Sequence, residues 1–160
     1  MLIHKNFLDK KDFKNLQSEI MSGRFPWYFS DGVVDYRDPF FQFYFLFYIN
    51  GQPNCDPKII NMIKPILDKL KIKKLYRVKA NLNLQTNEII EHGFHTDCDD
   101  KKSKTAIYYV NTCNGYTKFK GNKKIKSVAN KLIEFNSQIK HTGSSCTDKK
   151  RRVIINFNYI

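Results

Sequence analysis

Four cysteines, Cys55, Cys98, Cys113 and Cys146, are scattered through 160 residues without a C-x-x-C pair or a regular spacing. That pattern excludes a disulfide framework and points to a reduced, cytoplasmic chain. The opening Met-Leu-Ile-His-Lys-Asn lacks the apolar stretch of a secretory signal, which points the same way. Long hydrophobic runs are also missing; the most apolar stretch, Phe40 to Tyr48, is too short to cross a bilayer, so no membrane role is expected. With only 7 glycines there is no Gly-rich phosphate loop, and Ser144 and Ser145 sit in a turn rather than in the strand-to-helix elbow of a serine hydrolase. Internal repeats, low-complexity linkers, Arg-rich tracts and zinc knuckles are absent too, which leaves no compact nucleic-acid module.

Acidic residues are scarce: 15 Asp and Glu face 28 Lys and Arg, for a formal net charge of +13. The excess lies in lysine-rich stretches such as 71–79, 101–104, 118–126 and 149–152. A field of this sign attracts polyanions, so non-specific nucleic-acid association at low salt is expected. The plainer reading, in a chain rich in Lys, Asn and Ile throughout, is a solvated surface.

Against these absences stand 41% hydrophobic and 14% aromatic residues, the composition of a folded, β-rich domain. A chain of 160 residues is one domain with a single core that needs no disulfides. Phe13, Leu16, Ile20 and Met21 predict a helix over Asp9 to Ser22, with Gly23 as its stop. A second helical stripe, Ile59, Ile60, Ile63, Ile66, Leu67 and Leu70, is opened by Asp56 with Pro57 at its first position, and Pro65 should kink or divide it. Phe40 to Tyr48 reads as a buried strand, straight or bent. Trp27 and Tyr28, in an aromatic, turn-rich stretch, are expected in the core. From Leu75 onward period two dominates, with strands expected at Tyr76 to Leu84, Lys104 to Asn111, Tyr116 to Phe119, Leu132 to Phe135 and Arg152 to Tyr159. Two helices followed by a ribbon of short strands is an α+β pattern, mainly β.

Chemistry concentrates at His95-Thr96-Asp97, with His141 and Arg152 downstream. Two imidazoles and a carboxylate can occupy one face of a six-coordinate Fe(II) and leave the opposite positions open for a chelating co-substrate and O2. On a strand, residues i and i+2 point the same way, so His95 and Asp97 could grip one ion. The bland alternative is a turn in which Asp97, Asp99 and Asp100 are solvated charges. Cys98 is a poor ligand candidate, because a thiolate beside His and Asp would favour zinc. His4 and His92 are expected at the surface or behind the ligands. In the last strand, Arg152, Ile154, Asn156 and Asn158 share one face, and Val153, Ile155, Phe157 and Tyr159 form a continuously apolar one. A guanidinium on the mixed face, inside a small barrel, is a planar fork matched to a carboxylate. By the same parity Ile107 and Tyr109 point inward and Tyr108 outward.

Six blocks carry a resemblance: Arg-Val-Lys-Ala-Asn-Leu at 77–82, Glu-His-Gly-Phe-His-Thr-Asp at 91–97, Thr-Ala-Ile-Tyr-Tyr-Val-Asn-Thr at 105–112, Gly-Tyr-Thr-Lys-Phe at 115–119, Ser-Val-Ala-Asn-Lys-Leu-Ile-Glu-Phe at 127–135, and the stretch from His141 to Tyr159. In these the chain resembles the 2-oxoglutarate/Fe(II)-dependent dioxygenases, and within them the prolyl-4-hydroxylase-like proteins often encoded by marine bacteriophages. The resemblance implies a double-stranded β-helix, the jelly-roll barrel, with N-terminal helices backing its major sheet. It divides 1–160 into a supporting segment, 1–74, and a catalytic core, 75–160. It makes His95, Asp97 and His141 the iron ligands and Arg152 the clamp on the distal carboxylate of 2-oxoglutarate, with Tyr109, Ile107, Thr117 and Asn156 around the co-substrate. Implied cofactors are Fe(II), 2-oxoglutarate and O2, with ascorbate as reductant. The implied activity is hydroxylation of a prolyl or other amino-acid or peptide C–H, releasing succinate and CO2, in the host cytoplasm if the protein is phage-encoded. Two rivals remain: a nucleic-acid demethylase of the same superfamily, whose two arginines lie several residues apart where this chain has Arg151-Arg152, and a basic binding protein without turnover, which has no reason to keep these four residues.

Overall fold

The alternation along the last strand divides the interior in two. Val153, Ile155, Phe157 and Tyr159 join Leu16, Ile20, Phe47 and Val78 in one apolar core, while Ile154 joins Ile107, Tyr109, Phe119, Ile133 and Phe135 in a second. This computed structural model describes residues 1–35 and 37–160. In chain order its elements are β1 (Leu2–His4), α1 (Lys10–Ile20), β2 (Tyr28–Ser30), β3 (Gln42–Ile49), β4 (Gln52–Pro53), α2 (Pro57–Asn61), α3 (Lys64–Leu70), β5 (Leu75–Leu84), β6 (Lys104–Tyr109), β7 (Tyr116–Phe119), β8 (Lys124–Lys126), β9 (Lys131–Asn136), β10 (His141–Gly143) and β11 (Arg151–Tyr159). Among the described residues no helix is long and apolar enough to cross a membrane.

Eight strands form the major sheet, in the order β1-β9-β6-β11-β5-β3-β2 with β4 paired to β3, and β10-β7-β8 form the minor sheet. Every pairing within them is antiparallel. Helices cover the outer face of the major sheet, and its inner face looks across a cavity to the minor sheet: this is the expected jelly roll. Each apolar side chain that β11 buries under the helices is worth about 1.5–3 kcal/mol relative to exposure, so this strand anchors both layers.

Local chemistry explains the boundaries. Asp9 caps α1 by accepting from the backbone N–H of Asp12 at 2.9 Å, and Leu16 and Ile20 are its buried stripe. Asp56 caps α2 with Pro57 at its first position, and Pro65 falls in the opening turn of α3, so it divides the helical stripe rather than kinking it. Asn50 and Gly51, with φ of 50° and 75°, form the left-handed two-residue turn that joins β3 to β4. A Cβ on Gly51 would lie 2.7 Å from the carbonyl oxygen of Leu75, so close approach also demands glycine there.

Several expectations need correction. Trp27 packs against the core, but Tyr28 is 58% exposed, because β2 is an edge strand whose outer ring has only Tyr44 and Phe45 beneath it. The loop and short strand that Pro26, Asp31 and Gly32 predict around Tyr28 are present, the strand as β2, whereas the short strands β1, β4, β8 and β10 were not expected from the sequence. At two to three residues each they are too brief to show an alternation, and they exist because a longer neighbour supplies their hydrogen bonds.

Candidate functional site

His95 and His141 are brought together by an antiparallel bridge in which each backbone N–H donates to the other's carbonyl at 3.0 Å. Their rings lie 4.6 Å apart, and Phe135 and Phe119 pack against His141 on its other sides. The expected strand through His95-x-Asp97 is only half present. His95 is extended in its bridge, but the backbone bends at Asp97, whose N–H donates to the carbonyl of Ser137 at 3.2 Å. The bend turns the carboxylate under both imidazoles: Nε2 of His141 is 3.5 Å and Nε2 of His95 is 3.8 Å from its oxygens.

Each imidazole Nδ1 faces a backbone carbonyl at 3.1 Å, Gly93 for His95 and Ile139 for His141. A carbonyl only accepts, so Nδ1 carries the proton and Nε2 presents its lone pair to Asp97 when the ring is neutral. Burial pushes the His141 imidazole below its ordinary value, so near neutral pH it is uncharged. Two lone pairs converging on a carboxylate repel unless a cation lies between them. The nearest ligand atoms of the three residues all lie within 4.8 Å of one another, as one ion requires.

Asp97 is held from three more sides. The Thr105 hydroxyl donates to it at 2.7 Å, the Asn156 amide approaches at 3.3 Å and the Arg77 guanidinium at 3.5 Å. Burial works to raise its pKa, but His141, the Thr105 hydrogen bond, His95 and Arg77 together outweigh it, and the carboxyl stays below its usual range, ionised and fit for a metal. This backing of a ligand by hydrogen-bonding neighbours is what fixes metal sites in orientation.

Arg152 is 1% exposed at the far end of the same cavity. Its Nε donates to Ser127 at 2.8 Å, and its two terminal nitrogens donate to the Ser144 carbonyl and the Thr117 hydroxyl, both at 3.3 Å. Among the described residues no carboxylate pairs with it, and burial pulls its proton affinity down. The close approach of Gly115 makes room for it: a Cβ there would lie 2.5 Å from the Ser145 carbonyl oxygen and 2.6 Å from Arg152 Cδ. Arg151 points to the opposite face and donates to the Met21 carbonyl at the end of α1, as strand parity predicted.

The cavity holds about 330 Å³, and its walls include His95, Asp97, His141, Ile107, Thr117, Arg152 and Asn156, all named from the sequence. Tyr109, also named, stands behind this wall. Its hydroxyl, pushed up to about 12 by burial, donates to Thr117 Oγ1 at 2.9 Å. His92 was expected at the surface or behind the ligands; it is instead a buried wall residue, with both ring nitrogens lacking a partner among the described residues. His4 is half-buried beside Glu134, and Cys98 lies outside the ligand cluster.

Sequence reasoning missed the wall built by β5, where Arg77, Lys79, Asn81 and Asn83 all face the cavity. The signal was present, since Val78, Ala80 and Leu82 alternate with them and are buried in the core. Asn81 Oδ1 and Asn83 Nδ2 are, like the His92 nitrogens, buried and unpartnered among the described residues, so this wall presents free hydrogen-bonding groups to the cavity.

Neither a protein-family model nor a curated protein matches the sequence. Solved structures do match the fold. A prolyl hydroxylase from Trichoplax adhaerens, in complex with a hypoxia-inducible-factor peptide fragment, superposes with a TM-score of 0.67 at 18% identity, covering 99% of this chain and 82% of that one. The viral collagen prolyl hydroxylase of Paramecium bursaria Chlorella virus-1, in its 2-oxoglutarate complex, gives 0.62 at 16% identity, covering 99% and 94%. HygX from Streptomyces hygroscopicus, bound to nickel, 2-oxoglutarate and hygromycin B, gives 0.64 at 9% identity, covering 99% and 81%. At these identities the likeness is one of fold, the jelly roll that such oxygenases use. The polyanion association expected from the net charge finds no support among them.

Proposed function

We propose that this protein is an Fe(II)- and 2-oxoglutarate-dependent oxygenase that hydroxylates a C–H bond of an amino-acid or peptide substrate, prolyl C–H among the first to test. One observation carries the reading: the buried, carboxylate-free guanidinium of Arg152 shares a cavity with two imidazole lone pairs aimed at an ionised carboxylate. The first feature calls for an anion and the second for a cation, and a dicarboxylate that chelates a metal satisfies both.

The donor set fits Fe(II): His95, Asp97 and His141 supply two nitrogens and one oxygen, and among the described residues no thiol joins their cluster. Bound there with 2-oxoglutarate and O2, the iron would supply oxidative decarboxylation to succinate and CO2 coupled to hydroxylation of the substrate. The chain's own residues orient and shield. Arg152 grips the distal carboxylate with the two guanidinium N–H groups that its three protein contacts leave over. Thr117 Oγ1 accepts from both Tyr109 and Arg152, so its own hydrogen is left to donate to the same carboxylate. Tyr109 thereby acts through Thr117. Ile107 and Ile154 line the cavity between the two ends and exclude water from it.

The test is anaerobic titration with Fe(II) and 2-oxoglutarate, followed by a succinate-release screen under O2 with ascorbate as reductant. Prolyl peptides, free amino acids and alkylated nucleic acids form its arms. Binding of both Fe(II) and 2-oxoglutarate at one equivalent is the expected result. Failure of 2-oxoglutarate to bind the Fe(II)-loaded protein would remove the oxygenase reading altogether.

A further inference from the structure

Lys79 projects from β5 into the cavity at the metal-ligand end, where its register partner on β11 is Asn156, the residue that donates to Asp97. It is half-buried, and among the described residues it makes no ion pair and no side-chain hydrogen bond. Its ammonium lies over the face of the Tyr44 ring, 5.1 Å from Nζ to the centroid, and of the charges that act on it the repelling Arg77 outweighs the attracting Asp97. A half-buried ammonium without a counter-ion is costly.

The charges in the cavity can be assigned by elimination. The lining carries three basic side chains, Arg77, Lys79 and Arg152, and one carboxylate, Asp97. Arg77 is committed to Asp97 and to the Asn158 side chain, at 3.5 and 3.1 Å. Arg152 takes the distal carboxylate in the proposed function, on which this inference rests. Fe(II) and doubly charged 2-oxoglutarate cancel each other, so loading the site leaves the excess untouched. Lys79 remains. Along β11 it stands level with Asn156, four residues from Arg152, or about 13 Å at the rise of a strand, too far for the co-substrate's clamped end to reach.

We infer that Lys79 is the substrate-recognition cation of this site, and that the substrate carries a carboxylate placed against its ammonium beside the metal-ligand end. Burial and the neighbouring Arg77 pull the Lys79 ammonium down to about 8, against the weaker upward pull of Asp97, so an anion placed against it would favour the charged form. A cavity of about 330 Å³ is at the small end of ligand pockets, which suits a free amino acid or one acidic side chain beside the co-substrate.

The experiment compares carboxylate with carboxamide. Wild-type protein and the Lys79→Met and Lys79→Arg variants are loaded anaerobically with Fe(II) and 2-oxoglutarate. Each is titrated calorimetrically with L-proline, L-glutamate and L-aspartate, with their amides, and with Ala-Pro-Ala-type and Ala-Glu-Ala-type peptides blocked at both ends. The free amino acids report an α-carboxylate, and the blocked acidic peptide reports a side-chain one. At least one carboxylate should bind wild-type protein about tenfold or more tightly than its amide, the size of one charge-assisted contact. In Lys79→Met that preference should fall below about threefold, and Lys79→Arg should restore most of it. The inference is overturned if no carboxylate in the panel binds better than its amide, if Lys79→Met keeps the preference, or if Lys79→Met weakens 2-oxoglutarate as much as the substrate, which would give Lys79 to the co-substrate. Failure of the oxygenase reading appears separately, as wild-type protein that does not bind 2-oxoglutarate at the loading step.

Discussion

Substituting Met for Arg152 keeps the length of the hydrocarbon stem and deletes the charge, and its effects on ligand binding and on the empty fold should separate. Losing one partner of a desolvated, charge-paired contact costs about 2–4 kcal/mol of ligand affinity. At about 1.4 kcal/mol per decade, the 2-oxoglutarate Kd of the Fe(II)-loaded protein should rise roughly 30- to 700-fold. Thermal unfolding reads this directly. A ligand at a hundred times its Kd stabilises the native state by about 2.7 kcal/mol, or about 5–10 °C of Tm for a domain of this size. At the same ligand concentration Arg152→Met should gain only about 0.1–0.9 kcal/mol, a shift of about 4 °C at most.

The ligand-free protein should respond otherwise. Removing a buried cation that no carboxylate pairs with relieves its desolvation, while Ser127, Thr117 and the Ser144 carbonyl lose their donor. These terms oppose, so the ligand-free change should stay within about 2 kcal/mol, against about 3–5 kcal/mol for breaking a completed buried ion pair. The reasoning fails if Arg152→Met loses the larger amount without ligand and still shows the full 2-oxoglutarate shift, because Arg152 would then be a structural residue. Arg151→Ala is the control. It removes a contact to the end of α1 on the other face of β11 and should leave the ligand shift intact.

Alanine at His95, Asp97 or His141 should abolish Fe(II) binding and turnover with the fold retained, checked by metal stoichiometry and circular dichroism; full iron occupancy in all three variants would remove the metal centre. Gly115→Ala should displace Arg152 and weaken 2-oxoglutarate at least tenfold while costing about 1–3 kcal/mol of stability, and unchanged affinity by calorimetry would show that the guanidinium tolerates the shift. His92 is lowered from 6.5 to about 4 by burial and by the nearby Arg152 charge, so between those pH values the unfolded chain takes up a proton that the folded one refuses, and stability falls as pH drops through that window. The gap amounts to roughly 3 kcal/mol, and His92→Leu should lack that part of the slope when urea stabilities of the metal-free proteins are compared at pH 7 and pH 4; identical slopes would refute the buried neutral imidazole.

What was legible in the sequence is what a long element repeats. Nine residues of β11 alternate through four cycles, enough to assign Arg152 and Asn156 to the cavity and Arg151 to the helix side from the sequence alone. The cap at Asp56 was legible for a similar reason, since it acts on a backbone N–H two residues away, whereas Asp9, read as the first residue of its helix, turns out to cap it. His95 and Asp97 were legible as a pair, but not their geometry. A strand would have aligned them, whereas the structure bends at Asp97 because its N–H is captured by Ser137, forty residues away in sequence, and no local pattern encodes that partner.

The wall formed by β5 is the instructive failure. Arg77, Lys79, Asn81 and Asn83 alternate with Val78, Ala80 and Leu82 as cleanly as the residues of β11 do, and the two strands lie antiparallel with Arg152 opposite Asn83 and Asn156 opposite Lys79. Parity alone therefore placed two further cations in the lumen. They were hidden by composition: in a chain with a formal charge of +13, a lysine and an arginine on a strand pass for solvated surface. Val78 and Ala80 are fully buried under the helices, so the opposite face had to be either solvent or lumen. Pairing with β3 and β11 puts β5 inside the sheet, and the residues of the minor sheet across the cavity make its polar face lumen. A charge that faces a cavity rather than bulk water is costly until a ligand receives it, which is why the inference drawn above rests on Lys79 rather than on the lysines of the loops.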